Sequence, residues 1–213
     1  MRPPFFMEIL FAGCSITWGD ELKDRLNSRY SKIICDALGA NETNIARCGQ
    51  SNDWIARRVV EETQKKEYDR VYVQLTIPSR IEYCTEEATH MFTIQRLKEK
   101  DFECYSEATW YYKMVRNIQH DIENMYKNKF IIENAVKSEL VFLVADCSEE
   151  NEERNRHLHK QSHWNKLCNI KHHWIWDDIL GYPFREGPLG KRETHPLEGP
   201  HMEIANYLLN KDK

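Results

Sequence analysis

A continuous apolar run from Leu140 to Ala145 constrains the fold more than any other feature of the sequence. A run of this length without a polar residue is typical of a strand that is buried on both faces of a parallel sheet. Shorter strands are predicted at residues 7–12, 44–46, 71–75 and 174–176. Because parallel strands need long crossover connections, the chain must supply helices in the intervals.

Apolar residues recur at helical spacing in those intervals. The pattern predicts helices over residues 22–38, 52–60, 110–126 and 202–209. Gly39 supplies the C-terminal stop of the first helix, and Ser51 or Asn52 caps the second. Alternating strands and helices imply an α/β domain in which helices cover both faces of a parallel sheet.

The organisation of the chain indicates one domain over residues 1–213, since this length suits a single core and no repeat or linker interrupts it. Residues 80–105 are irregular and charged, and we interpret them as an insertion that would cover a site as a lid. Residues 146–172 are the most polar stretch and predict a surface excursion. The excursion's His157 and His159 lack a closed set of metal ligands, so we expect solvated side chains there and no metal site.

Composition and cysteine spacing exclude several classes of protein. The formal net charge of −4 gives no electrostatic reason to expect binding to nucleic acid or to an anionic membrane. The 7 cysteines are dispersed without a Cys-x-x-Cys pair, which favours a reducing compartment over disulfides or a zinc site. The small residues before Cys14 resemble a lipoprotein cleavage site, but the apolar segment ahead of them is short and is interrupted by Glu8. We therefore expect a cytoplasmic protein.

Four blocks of unusual residues lie where predicted strands end or where the last helix begins. Residues 13–19 and 46–52 follow the first two strands, residues 74–80 end the third, and residues 193–201 precede the last helix. In open α/β sheets, sites form at the carboxyl ends of the strands. We therefore expect these blocks to meet at one edge of the sheet.

The order and spacing of the blocks resemble the SGNH (GDSL-like) hydrolase family over nearly the whole chain. Residues 13–15 are similar to the family's Gly-Asp-Ser triplet, in which the serine is the nucleophile; here that serine is Ser15, and Cys14 replaces the aspartate. Gly49 matches the glycine whose N–H joins the oxyanion hole, and His195 matches the catalytic histidine. The resemblance implies a three-layer, flavodoxin-like sandwich with a central parallel sheet, and a serine esterase that needs no cofactor.

Two blocks depart from the family's pattern. The third block of the family holds an Asn that donates to the oxyanion, whereas this chain has Thr76 followed by Ile and Pro, so Thr76 or Gln74 would donate instead. An oxyanion donor that is lost without replacement costs roughly 10²–10³ in rate. Arg192 replaces the family's Asp three residues before the histidine, and Glu193 is the carboxylate predicted to support the imidazole.

Elementary chemistry gives the matched residues their roles. A serine hydroxyl needs a base to remove its proton, which assigns His195 as the general base for Ser15. A tetrahedral oxyanion needs preorganised donors, and we predict the N–H groups of Ser15 and Gly49 together with Thr76. Cys14, beside the attacking position, is expected to be packed and inert.

Trp18 and Arg80 are the predicted substrate-binding residues, since they follow the first and third strands. Charged residues around the expected site favour a small acyl group on a carbohydrate, or on a similar polar molecule, over a long-chain lipid. Two other classes of function stay open at this point. A non-catalytic binding module could retain the same fold, whereas a flavin or nucleotide binder would need a glycine-rich phosphate loop that residues 13–17 do not provide.

Overall fold

The computed structural model describes residues 6–86, 89–93, 97, 102–145, 158–180 and 195–211. The strands of this part of the chain are β1 Glu8–Ala12, β2 Asn41–Asn44, β3 Arg70–Leu75, β4 Ile81–Cys84, β5 Thr89–Phe92, β6 Glu139–Val144 and β7 His172–Trp174. Five of them form a parallel sheet in the order β2-β1-β3-β6-β7. The other two, β4 and β5, pair as an antiparallel hairpin.

The helices of the described residues are α1 Ser15–Trp18, α2 Arg25–Ser28, α3 Tyr30–Leu38, α4 Asn52–Lys65, α5 Tyr105–Trp110, α6 Ile118–Ala135, α7 His163–Leu167 and α8 Glu198–Lys211. Two further segments, Tyr111–Val115 and Ile175–Leu180, are π-helical. No helix among the described residues combines the length and the apolar character that crossing a bilayer requires.

Separate apolar cores lie on the two faces of the sheet. One core contains Val73 of β3 together with Ile55 of α4 and Ile122 of α6. The other contains Phe11 of β1 and Ile204 of α8, along with residues of α3. Because successive strand residues point to opposite faces, the same strands supply both cores. The predicted three-layer α/β sandwich with a central parallel sheet is therefore confirmed.

The strand order also locates the site. Numbered along the chain, the five sheet strands run 2-1-3-4-5, which is the flavodoxin-like order. In this order the direction of winding reverses between β1 and β3, and ligands bind in the crevice at the carboxyl ends of the strands there. The segments that follow β1, β2 and β3 all leave the sheet at this edge.

The helix predicted over residues 22–38 is two helices in the structure, α2 and α3, separated by Arg29. Asp24 caps α2 by accepting a hydrogen bond from the N–H of Asn27. The backbone of Arg29 is extended, and its guanidinium pairs with Glu42 of β2 at 2.8 Å. The break in the helix therefore coincides with a residue that is paired to the edge strand, where apolar spacing alone predicted continuity.

Other predicted elements have shifted bounds. The helix predicted over residues 110–126 is divided among α5, the first π-helical segment and α6, and Asn117 caps α6 through the N–H of Gln119. The strand predicted over residues 174–176 lies at His172–Trp174, and the π-helical Ile175–Leu180 follows at once. The second strand begins and ends earlier than residues 44–46, because its pairing with β1 starts at Asn41.

Parts of the insertion and of the excursion are also described. The hairpin of β4 and β5 lies in the insertion over residues 80–105, where the rings of Tyr83 and Phe92 stack at 5.0 Å between centroids. His157 lies outside the described residues. The solvated position expected for His159 is wrong, because this residue is 3% exposed and its Nδ1 atom lies 3.0 Å from the hydroxyl of Tyr126. Within the described ranges, no group of three or more His, Cys, Asp or Glu side chains is arranged to hold a metal ion.

Candidate active site

Ser15 begins a short helix that directly follows β1. That helix, α1, ends at Gly19, whose φ of 80° lies in the left-handed region. The N–H groups in the first turn of a helix have no acceptor within the helix, so α1 itself does not use the N–H of Ser15. Ser15 is 7% exposed and lies at the edge of the sheet where the strand order predicts a site.

Gln74, near the end of β3, fixes the loop that carries Ser15. Its Oε1 atom accepts hydrogen bonds from the N–H of Cys14 at 3.0 Å and from the hydroxyl of Thr17 at 3.1 Å. Its Nε2 atom donates to the carbonyl of Leu75 at 3.1 Å. Gln74 is 1% exposed, so these bonds form away from solvent and hold the loop against β3.

Gly13 allows this close approach. A Cβ atom at position 13 would lie 2.5 Å from Oγ1 of Thr17 and 2.9 Å from Cβ of Gln74. Both distances are shorter than van der Waals contact, and the second involves a side chain that is itself fixed. A glycine is therefore needed for the Ser15 loop to lie where it does.

Asn52, the first residue of α4, joins the second block to the third. Its Nδ2 atom donates to the carbonyl of Thr76 at 3.1 Å, and its Oδ1 atom accepts from the N–H of Thr76 at 2.9 Å. Because this backbone N–H is engaged, the hydroxyl is the group of Thr76 that could serve as the predicted oxyanion donor. Gly49 precedes α4 with a φ of 76°, and Ser51 caps the helix through the N–H of Trp54 at 3.1 Å.

His195 lies beside the turn that follows Ser15. The Nδ1 atom of its ring is 3.4 Å from Oε2 of Glu21, and the Nε2 atom is 3.7 Å from Oδ2 of Asp20. The N–H of Asp20 donates to the carbonyl of Ser15 at 3.0 Å, so the two carboxylates belong to the turn that Ser15 begins. The structure thus brings the predicted base to the predicted nucleophile's turn. Glu193, the predicted support for the imidazole, lies outside the described residues.

The two predicted substrate-binding residues border the same turn. Arg80 donates through Nη1 to the Sγ atom of Cys14, the residue before Ser15. The Nε atom of Arg80 is buried and has no hydrogen-bond partner among the described residues. Trp18 ends α1, and the guanidinium carbon of Arg25 lies 3.8 Å from the centroid of its ring.

Two thiols lie close to this turn and are poor candidates for a nucleophile. Burial, reinforced by the charge of Asp20, raises the pKa of Cys48 to about 12, so this thiol stays protonated at neutral pH. A protonated thiol is a weak nucleophile. Cys14 is 1% exposed, and its Sγ atom lies 3.8 Å from Oγ of Ser15. Its burial fits the packed role expected from the sequence.

His201, in the first turn of α8, has a structural role. Its Nδ1 atom accepts a hydrogen bond from the N–H of Tyr30 at 3.2 Å, and the two rings stack with centroids 5.9 Å apart. Burial lowers the pKa of His201 to about 4, so the ring is neutral at physiological pH and can accept this bond. The contact ties the start of α8 to the start of α3, close in sequence to His195.

Comparison with solved structures identifies the fold. The psychrotrophic esterase EstA from Pseudoalteromonas sp. matches over 95% of this chain and 94% of its own, with 12% identity and a TM-score of 0.57. A member of the lipolytic protein G-D-S-L family from Veillonella parvula matches over 96% of this chain and 97% of its own, with 12% identity and a TM-score of 0.58. The chain has the SGNH hydrolase fold.

A third match comes from a catalytic mutant of Axe2, an acetylxylan esterase from Geobacillus stearothermophilus. It covers 99% of this chain and 95% of its own, with 15% identity and a TM-score of 0.55. No protein-family model matches the chain, and no curated protein matches it in sequence. At these identities the likeness shows the fold.

Sequence reasoning missed three residues that hold the blocks together. Asp20 and Glu21 directly follow the first block, but only the fold brings them to His195. Asn52 ends the second block, and its amide is paired with a residue 24 positions away. The one sequence signal for Asp20 and Glu21 was that two acidic residues stand side by side directly after Gly19. Sequence spacing does not show that the partner of this acidic pair is His195.

Proposed function

We propose that this chain is a serine ester hydrolase of the SGNH type, with Ser15 as nucleophile and His195 as general base. The observation that carries the proposal is the position of His195 against the turn that Ser15 begins, at the carboxyl end of β1. The fold that the chain shares with esterases supports the same reaction class.

In the proposed reaction, Nε2 of His195 takes the proton of Ser15 as Oγ attacks the carbonyl carbon of the ester. The tetrahedral intermediate then breaks its bond to the alcohol oxygen, which receives the proton from the imidazolium and leaves. Water, deprotonated by the same imidazole, hydrolyses the acyl-enzyme and releases the carboxylic acid. The Ser15 hydroxyl is regenerated, and no cofactor is consumed.

The proposed oxyanion hole uses the N–H groups of Ser15 and Gly49 and the hydroxyl of Thr76. The first N–H opens α1, and the second belongs to a residue with a φ of 76° in the turn before α4. The backbone of Thr76 is held by two hydrogen bonds to Asn52, so the position of its Cα atom, from which the hydroxyl group extends, is fixed. Donors that are fixed before the reaction lower the barrier most, since they need no reorganisation when the charge forms.

The proposed substrate is a small acyl ester of a carbohydrate or of a similar polar molecule. Arg80 brings a guanidinium next to the residue before Ser15, through its bond to Cys14, and Trp18 ends the same turn with one face of its ring covered by Arg25. One structural neighbour is an acetylxylan esterase, which fits a small acyl group on a sugar.

The reaction class is tested by treating the protein with a fluorophosphonate probe and measuring intact mass. We expect a single adduct on the wild type, no adduct on Ser15→Ala and slow labelling of His195→Ala. Ser106→Ala, which removes an exposed serine whose hydroxyl bonds Glu107, is the matched control and should label like the wild type. A folded wild type that forms no adduct would overturn the proposal and favour a non-catalytic binding module.

The substrate class is tested with two sets of esters at equal concentration. Acetylated xylo-oligosaccharides should be hydrolysed with a higher kcat/KM than long-chain acyl esters of p-nitrophenol. Efficient cleavage of the long-chain esters together with no release of acetate from the sugars would contradict the proposed substrate, while leaving the role of Ser15 intact.

A further inference from the structure

The ring of His195 lies between two carboxylates that are adjacent in sequence. Glu21 faces the Nδ1 atom at 3.4 Å, and Asp20 faces the Nε2 atom at 3.7 Å. The side chain of Glu21 is 13% exposed and that of Asp20 is 24% exposed, so Glu21 is the more enclosed of the two. A buried carboxylate is stable only beside a partner that donates to it or carries positive charge.

The backbone of Glu21 is held in an unusual conformation. Its φ is 67°, a left-handed value that glycine adopts easily and that costs free energy for a residue with a side chain. Such residues persist where the surrounding structure determines them, and they cluster at functional sites. The strained backbone carries a carboxylate whose Oε2 atom is buried beside the imidazole.

We infer that Glu21 is the positioning carboxylate for His195, an inference that rests on the proposed function. In this role the ring proton on Nδ1 points to Glu21, the nearer of the two carboxylates at 3.4 Å, and this contact fixes the tautomer. Nε2, which lies 3.7 Å from Asp20, is then the unprotonated atom that takes the proton of Ser15. The carboxylate of Glu21 stabilises the imidazolium that forms. The carboxylate therefore comes from the turn after the nucleophile, whereas the sequence resemblance led to Glu193 in the histidine's own block.

The role of Glu21 is tested by the pH dependence of kcat/KM on an acetyl ester. Glu21→Gln should lower the maximum value of kcat/KM in the pH profile by roughly 10²- to 10⁴-fold, chiefly through kcat. The acid limb should also move to lower pH, because a neighbouring carboxylate favours the protonated form of an imidazole. Glu198→Gln is the matched control, since Glu198 accepts from the N–H of Lys23 near the same turn, and its profile should be unchanged.

A second variant separates positioning from folding. Glu21→Gly removes the carboxylate but suits the left-handed backbone, so its Tm should be equal to or higher than that of the wild type while its activity is lost. A residue that served the fold alone would show the opposite result, with a lower Tm and retained kcat. Glu21→Asp keeps the charge. Its pH profile of kcat/KM should therefore have a higher maximum than that of Glu21→Gln, and its acid limb should lie at the wild-type pH.

Two readouts keep this inference distinct from the proposed function. In spectra of ¹⁵N-histidine-labelled protein, the signals of His195 should change with Glu21→Gln, which reports the contact without any turnover. Probe labelling of Glu21→Gln at the wild-type rate, or loss of activity in Glu193→Gln but not in Glu21→Gln, would overturn the role of Glu21 alone. A wild type that forms no adduct would overturn the proposed function and this role with it.

Discussion

Replacing Asn52 with alanine should release the third block while leaving α4 intact. Asn52 is 1% exposed, and its amide makes both of its described bonds to the backbone of Thr76, at 3.1 and 2.9 Å. Alanine has a higher helix propensity than asparagine, so the substitution does not weaken α4 through its backbone. The loss of stability should therefore come from the segment that follows β3, which is no longer bonded to the side chain at position 52.

The size of the effect follows from the two backbone groups that lose their partner. Thr76 is 3% exposed, so solvent has little access to its N–H and carbonyl once the amide is gone. Each buried group left without a hydrogen bond costs about 1–3 kcal/mol, so the free energy of unfolding should fall by roughly 2–6 kcal/mol. Ser51→Ala, which removes only the cap of α4, should cost about 1 kcal/mol.

The assay is urea unfolding followed by circular dichroism, with the rate of fluorophosphonate labelling measured below the transition. Asn52→Ala should lower the midpoint more than Ser51→Ala and should slow labelling, because Thr76 and Gly49 are no longer held relative to each other. A loss below about 1 kcal/mol, equal to that of Ser51→Ala, would refute the reasoning. It would mean that Thr76 does not depend on the Asn52 amide.

Further predictions concern the Ser15 loop and the pH dependence of stability. Gly13→Ala places a methyl group 2.5 Å from Oγ1 of Thr17, so the rate of probe labelling should fall and the free energy of unfolding should decrease by about 1–3 kcal/mol. Gly199→Ala is the control: its methyl group would have nothing within 4 Å, so neither quantity should fall. Although burial alone would raise it, hydrogen bonds from the start of α7 lower the pKa of Glu123 from 4.5 to about 2. Its carboxylate therefore stabilises the fold above about pH 4.5, and this contribution is lost as the pH falls toward 2. Glu123→Gln should flatten the pH dependence of Tm in that window, and unchanged curves would contradict this account.

Regular elements were predictable where periodicity and caps agree. The buried run at residues 140–145 gives β6, and Gly39 ends α3 with a φ of 60° as its position predicts. Ser51 caps α4 as expected, through the N–H of Trp54. These features depend on local chemistry, so one sequence suffices to find them.

Long-range contacts explain where prediction failed. The predicted helix is broken at Arg29, whose guanidinium pairs with Glu42 on the edge strand, and apolar spacing does not reveal such a pair. His159 is buried against Tyr126 of α6, although it lies in the most polar stretch of the chain. In both cases a partner distant in sequence determines the environment.

The candidate site combines both kinds of information. Its blocks are recognisable because each follows a strand or precedes a helix, but their mutual geometry depends on side chains that bridge between strand ends. Gln74 joins the end of β3 to the loop after β1, and Asn52 joins the start of α4 back to the residue after β3. Glu21 then meets a histidine from the far end of the chain. These bridging residues are polar and do not recur at helix or strand spacing. A sequence motif can therefore identify the reacting groups, whereas the groups that orient them are identified only in the folded structure.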